Sequence, residues 1–275
     1  MRASVEGFDL TGRPLPLRRL VADVWDARQL LVVLARKDFY VKYRRASFGM
    51  LWAVGLPLFQ AGVMALVFSN VIDIHTGTSY PVFVFSGFLG WTFFSTTLSA
   101  ASTSIVDGAT MSSRIYFPRA VLPLAAVATN LYGFVINIGV LFVLCLLFDV
   151  SLSADVLLLV PATVLMTALT VAFALLTSAM HVYFRDVRYI IVAAVTAWFY
   201  ITPVLYPIEL ASGALETLIR LNPVTGVVEL FRAATVGADP GWLGTVGITC
   251  VWIVVVGVIA TALQHRFDRV FSDLL

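Results

Sequence analysis

The chain has 275 residues, of which 60% are hydrophobic and only 12% charged, with a mean hydropathy of +0.95 and a net charge of +2. A water-soluble domain carries about 25% charged residues, so this composition excludes a soluble fold and predicts a chain that crosses a membrane repeatedly. Apolar runs use up most of the length, which excludes a sizeable soluble domain as well.

Residues 1–20 are polar and basic, contain Pro14 and Pro16, and hold no apolar core bounded by a cleavage site. They read as a cytoplasmic tail without a secretory signal. Residues 22–45 set Val24, Trp25, Leu30, Leu31 and Leu34 against Asp23, Asp26, Arg28, Arg36 and Lys37. This segment is too charged to span. It predicts an amphipathic helix in the membrane plane, apolar side down, or a helix packed on the inner ends of the same chain. Residues 1–45 are therefore set apart from a transmembrane domain over 46–275.

Charge-free runs follow at 46–72, 74–106, 120–148, 156–184, 189–208 and 240–265. Each is long enough for one spanning helix, which takes about 20 residues. The second is rich in hydroxyls near its end, from Ser95 to Ser104, a composition that suits close helix packing or a polar channel wall. Between the second and third runs, residues 107–119 suit one short helix stopped near Pro118, or equally a plain loop. The fifth run begins after Arg185, Asp186 and Arg188 and ends on Pro203 and Pro207. Each proline removes a backbone donor and disfavours helix at the residue before it, so the span exits through a kink.

Residues 208–239 are too long and too apolar for an ordinary loop. They predict two short helices that dip back toward the membrane, with a surface cap as the alternative. Asn222 and Pro223 read as N-cap and first helical residue. Gly213 is placed to break an earlier short helix, and Glu229 and Arg232 to pair on one helical face.

Of the 18 Lys and Arg, all but Arg220 and Arg232 fall on the side that carries both termini if there are six spans. The positive-inside rule then places both termini in the cytoplasm. Between their flanks the spans carry no Asp, Glu, Lys or Arg. Proton-driven pumps and intramembrane proteases place ionisable or nucleophilic groups there. A Walker glycine loop is also absent from the sequence, so the chain reads as no enzyme by itself and as holding no cofactor. Cys145 and Cys250 lie in apolar runs without metal-ligand spacing, and no metal or nucleic acid is expected.

Aromatic residues are plentiful in and near the spans. Phe59, Trp91, Trp198, Phe199 and Tyr200 are candidates to line a conduit for sugar rings, whose C–H faces rest on aromatic rings. Lipid contact and the interfacial Trp/Tyr belt explain the same residues. Lys42, Arg44 and Arg45 precede the first span. They fit either anchoring to anionic headgroups or capture of a lipid-linked pyrophosphate.

Three stretches carry a resemblance. They are Arg36-Lys37-Asp38 through Tyr43-Arg44-Arg45-Ala46-Ser47-Phe48-Gly49-Met50-Leu51-Trp52 to Pro57; Tyr183-Phe184-Arg185-Asp186-Val187 with Thr202-Pro203-Val204-Leu205-Tyr206-Pro207; and Leu221-Asn222-Pro223 to Glu229-Leu230-Phe231-Arg232. In this order they resemble the membrane subunit of polysaccharide-exporting ABC transporters, the exporters of O-antigen, teichoic acid, capsule and galactan. The resemblance implies an all-α fold of six transmembrane helices with an N-terminal interfacial helix and a re-entrant pair between spans five and six. It implies a second copy of the chain and two ATPase subunits that hold ATP and Mg, in a bacterial plasma membrane, moving a lipid-linked polysaccharide. Residues 107–119 become the coupling helix, with Asp107, Met111, Arg114 and Tyr116 facing the ATPase. Arg185, Asp186, Pro203, Pro207, Glu229 and Arg232 take structural or gating roles. A drug- or lipid-exporting relative and a non-transport scaffold are the alternatives.

Overall fold

A computed structural model describes residues 17–44, 47–71, 79–112, 117–237 and 242–268. The described residues form helices α1 (Leu17–Asp26), α2 (Arg28–Arg44), α3 (Leu51–Val71), α4 (Tyr80–Asp107), α5 (Ala109–Ser112), α6 (Val121–Leu147), α7 (Leu159–Tyr183), α8 (Val187–Ile201), α9 (Gly213–Leu221), α10 (Thr225–Thr235) and α11 (Trp242–Asp268). Two 3-10 turns, Ala154–Leu158 and Ile208–Leu210, complete the described secondary structure, which contains no strand. Helix is the expected answer for a chain in lipid, because it satisfies its backbone polar groups within one segment.

Five helical segments are long and apolar enough to cross a membrane: Leu51–Asn70, Tyr80–Met111, Val121–Leu147, Ala154–Tyr183 and Trp242–Gln264. They coincide with five of the six charge-free runs. The remaining run forms α8, which has only 15 residues and rises roughly 22 Å against a hydrocarbon core of about 30 Å. Its helix stops at Ile201 because Pro203 forces Thr202 into extended backbone, with ψ of 129°. The predicted span therefore continues as the non-helical stretch Thr202–Pro207.

Helix α4 is the centre, packing against α3, α6, α7, α8 and α10. Its interior face runs from Val82 through Phe85, Leu89 and Phe94 to Ile105, all buried. The hydroxyls predicted on this helix mostly bond back into it: Thr96, Ser99, Ser102 and Ser104 each donate to a carbonyl three or four residues earlier. Helix α3 contrasts with α4, presenting Leu56, Phe59, Val63 and Leu66 outward.

At one end, α1 and α2 form nearly one helix. The amide of Ala27 donates to Asp23 and that of Leu31 to Ala27, both at 3.1 Å, so hydrogen bonding runs through the break. Helix α2 lies on the first turns of α6, and Leu34 is buried there with Phe117, Val121, Leu122 and Ala125. Its other face leaves Val33, Tyr40 and Val41 exposed. Val24 of α1 joins Ala120, Leu175 and Ala260, so the end of α1, the start of α6 and the ends of α7 and α11 meet at this basic end. At the far end, α9 and α10 occupy the stretch predicted as two short helices. Gly213, with φ of +63°, opens α9 rather than ending an earlier helix; the preceding turn is the 3-10 segment Ile208–Leu210.

Ten of the 11 residues of α10 are buried. The helix packs against α4, α7 and α11. It approaches α11 so closely that a Cβ on Gly226 would run into the Thr245 carbonyl and the Thr249 hydroxyl. Thr249 in turn donates to the Pro223 carbonyl at 2.8 Å. Gly226→Ala is expected to cost about 1–3 kcal/mol, the range for overpacking a rigid contact, visible as a lower melting temperature in detergent. Gly247→Ala, where nothing lies within 4 Å, is expected to leave the melt near wild type.

Candidate functional site

The far end is organised around one cation. Arg232 on α10 has a side chain only 5% exposed, and it pairs with Glu229, one turn back, at 2.8 Å. A second guanidinium nitrogen donates to the Val204 carbonyl at 2.9 Å. The guanidinium carbon stands 3.7 Å from the centre of the Phe83 ring, a cation–π distance. Gly87 lets this happen, since a Cβ there would press on an Arg232 nitrogen at 3.3 Å. Tyr80 adds a hydrogen bond to the Leu205 carbonyl at 2.7 Å. The Thr202–Pro207 stretch is thus held by its carbonyls against α4 and α10, the requirement for non-helical backbone away from water.

A polar hub joins the same elements. Asn222 accepts from the Trp198 indole at 2.8 Å and from the Val224 amide at 3.0 Å, and donates to the Thr202 hydroxyl at 2.9 Å. It caps the turn that leads into α10, although the regular helix starts at Thr225, two residues after the predicted Pro223. Ile191, Val195, Trp198 and Phe199 share one face of α8 and pack on the core. Trp198 lies edge-on to Phe94 and Phe173, and Phe199 packs on Trp91. Of the candidate conduit residues, Trp91 is 5% exposed and sits inside the subunit, whereas Phe59 and Tyr200 are each 70% exposed. Trp198 and Phe199 are half-buried on the α4–α8 seam.

At the basic end, a cavity of about 780 Å³ is lined by Lys37, Asp38 and Lys42 of α2, Asp107 of α4 and Met111 of α5. Lys42, predicted for phosphate capture, and Asp107 and Met111, predicted for coupling, therefore share one hollow. Met111 also packs on the cluster around Leu34 and Leu122, which makes α2, α5 and the start of α6 one unit. Helix α5 is only four residues long; Arg114, Tyr116 and Arg45 lie outside the described residues. The Lys42 ammonium reaches the Asn130 side-chain oxygen at 3.3 Å, and burial lowers its pKa. Arg44 instead lies over the Tyr40 ring at 5.3 Å. Arg185 and Asp186 are exposed in the turn between α7 and α8, where the Asp186 carbonyl accepts from the amides of Tyr189 and Ile190. They share this end with Asp107, whose charge acts on buried His181 together with Arg185 and Arg188. The described residues contain no cluster of His, Cys, Asp or Glu fit for a metal.

A helical bundle with a clamped far end and a basic, hollowed near end invites comparison with known proteins. The ABC-2 type transporter profile matches residues 29–236. The chain belongs to the ABC-2 type transporter membrane family. An O-antigen export system permease protein RfbA from Myxococcus xanthus is 30% identical over 217 residues, covering 78% of this chain and 83% of the relative. A protein of the same description from Klebsiella pneumoniae is 26% identical over 247 residues, covering 88% and 94%. The matched stretch of this ABC-2 chain takes in α2 through α10, so both ends of the bundle fall within it.

Sequence reasoning identified Arg232 and Glu229 but not Phe83, Gly87, Tyr80 or the hub role of Asn222. The Glu229–Arg232 spacing was readable; the cross-helix partners were not. Removing Glu229 strands a buried cation, and breaking such a pair costs about 3–5 kcal/mol. Glu229→Leu is therefore expected to melt well below wild type in detergent, whereas Glu229→Leu combined with Arg232→Met is expected to recover much of the loss.

Proposed function

We propose that this ABC-2 chain is the membrane subunit of an exporter that moves a lipid-linked polysaccharide out of the cytoplasm, driven by ATP hydrolysed on a separate subunit. The similarity to O-antigen export permeases across most of both chains carries this reading. Two copies of the chain and two ATPase subunits form the complex. A bundle with its interior filled by Phe85, Phe94 and Phe231 leaves no bore for a polymer, and a two-fold interface supplies one. Phe59 and Tyr200 point outward toward such an interface, while Trp91, Trp198 and Phe199 hold α8 in place behind it.

In this reading the bundle spans the bacterial plasma membrane six times. Helix α8 with Thr202–Pro207 makes the fifth crossing, and α9 and α10 re-enter from outside. Contacts of Phe231 with Phe134 and with Gly90 support that depth for α10. The basic end faces the cytoplasm, as the distribution of Lys and Arg favours. The ATPase, with its ATP and Mg, docks on residues 107–119, with Asp107, Met111, Arg114 and Tyr116 at the contact. Its motion passes through Met111 into α2 and α6. Lys42, Arg44 and Arg45 take the pyrophosphate of the substrate from the inner leaflet. Arg185 and Asp186 border the same mouth, and the clamp of Arg232, Glu229, Pro203 and Pro207 shapes the exit.

Cells lacking this chain are expected to accumulate lipid-linked polymer inside and to show little at the surface, as judged by labelling intact and lysed cells. Normal surface polymer without the chain would refute the reading. In the purified complex, Met111→Glu places a charge in an apolar contact and is expected to cut lipid-stimulated ATP hydrolysis at least severalfold, with the basal rate of the ATPase subunit alone as the reference. Arg44→Gln with Arg45→Gln is expected to lower stimulation by substrate lipid; unchanged stimulation and export would remove these residues from substrate uptake.

A further inference from the structure

Beside the basic cavity lies a second cleft, of about 430 Å³, within the size range of small-molecule sites. The last turn of α2, the first turns of α3 and facing stretches of α4 and α6 bound it. It thus sits where the chain passes from α2 into its first apolar helix, and Tyr43 and Trp52 line it there, as residues of the headgroup level do. Phe93 and Phe134, buried and stacked with centroids 4.5 Å apart, form part of its wall.

Its polar atoms are specific. Asn137 is 7% exposed, and its amide nitrogen donates to the carbonyls of Ala53 and Gly133 at 3.0 and 2.8 Å. Its side-chain oxygen is buried with no partner among the described residues, and so is the Thr92 hydroxyl. Both residues line the cleft. Closer to α2, Lys42 meets Asn130, seven residues before Asn137 and so roughly 10 Å away along α6. An amide oxygen only accepts, so Asn137 calls for a donor such as a hydroxyl; a hydroxyl serves Thr92 in either sense. Lys42 calls for an anion. The separation suits one sugar-sized ring between a phosphate and a terminal hydroxyl.

We propose that this cleft binds the polyol-phosphate headgroup of an anionic lipid, with the phosphate on Lys42 and hydroxyls on Asn137 and Thr92. Two lipids share that chemistry: a resident phospholipid with a glycerol or inositol headgroup, and the sugar-phosphate end of an exported lipid. The site shares Lys42 with the uptake reading but does not depend on export.

The test uses the full chain with its ATPase subunit in phosphatidylcholine nanodiscs, with retained lipid read by native mass spectrometry. Phosphatidylinositol is expected to be retained over phosphatidylcholine about tenfold, a factor within the range of two favourable polar contacts. Phosphatidic acid, with phosphate and no polyol, falls between. Lys42→Gln is expected to weaken both anionic lipids about fivefold. Asn137→Leu and Thr92→Val are expected to erase only the preference for phosphatidylinositol over phosphatidic acid. Thr92→Val keeps the test sound if loss of the Ala53 contact unfolds the Asn137 variant. Equal retention of phosphatidylinositol and phosphatidylcholine, or preferences unchanged by Lys42→Gln and Thr92→Val, would overturn the proposal. Competition with a polyprenyl-linked sugar phosphate separates the sources: displacement of phosphatidylinositol assigns the cleft to the exported lipid, and lack of it to a resident one, the binding chemistry standing in both cases. A complex that bound these lipids and exported nothing would sink the proposed function and leave this site intact.

Discussion

An uncompensated charge inside an apolar bundle is expensive, and this one exclusion shapes the molecule. The apolar runs contain no Asp, Glu, Lys or Arg, so the long helices are free to pack by shape around α4. The cation that does enter the interior, Arg232, is neutralised by Glu229, capped by the Val204 carbonyl and faced by the Phe83 ring. Those partners come from α10, from the proline stretch and from α4. Satisfying one guanidinium therefore fixes the relative position of three elements that the sequence keeps far apart.

The same exclusion sends the remaining charge to the ends. At the basic end it gathers around a hollow that joins α2, α4 and α5, and apolar contact through Met111 ties α5 to α2 and the start of α6. At the far end, the Asn222 hub ties the last turn of α8 to the entrance of α10. Helix α4 has residues at both ends: Tyr80, Phe83 and Gly87 at the clamp, Asp107 at the hollow.

Helix positions were legible because lipid demands long, uncharged runs. The run 120–148 became Val121–Leu147, and 46–72 became Leu51–Val71. The early end of α8 was signalled by Pro203, and the Glu229–Arg232 pair by its spacing. What stayed hidden depends on residues distant in sequence. Nothing local marks Phe83 as the face for Arg232, or Asn137 as an acceptor left over after its amide turns to Ala53. Trp91 resembled any interfacial tryptophan, and only packing against Phe94 and Phe199 sets it inside the subunit. Residues 22–45 read as one helix, and backbone bonds through Ala27 nearly keep it so; the residue types there did not mark the break between α1 and α2.

In the proposed export reading, the work is done on this chain from its basic end by a separate ATPase subunit. Reconstitution into sealed vesicles with lipid-linked polymer on the basic-end side tests this most directly. With its ATPase subunit and ATP, the chain should carry polymer to the opposite side; without that subunit, a proton or sodium gradient should drive none. Gradient-driven transport by the chain alone would contradict the account.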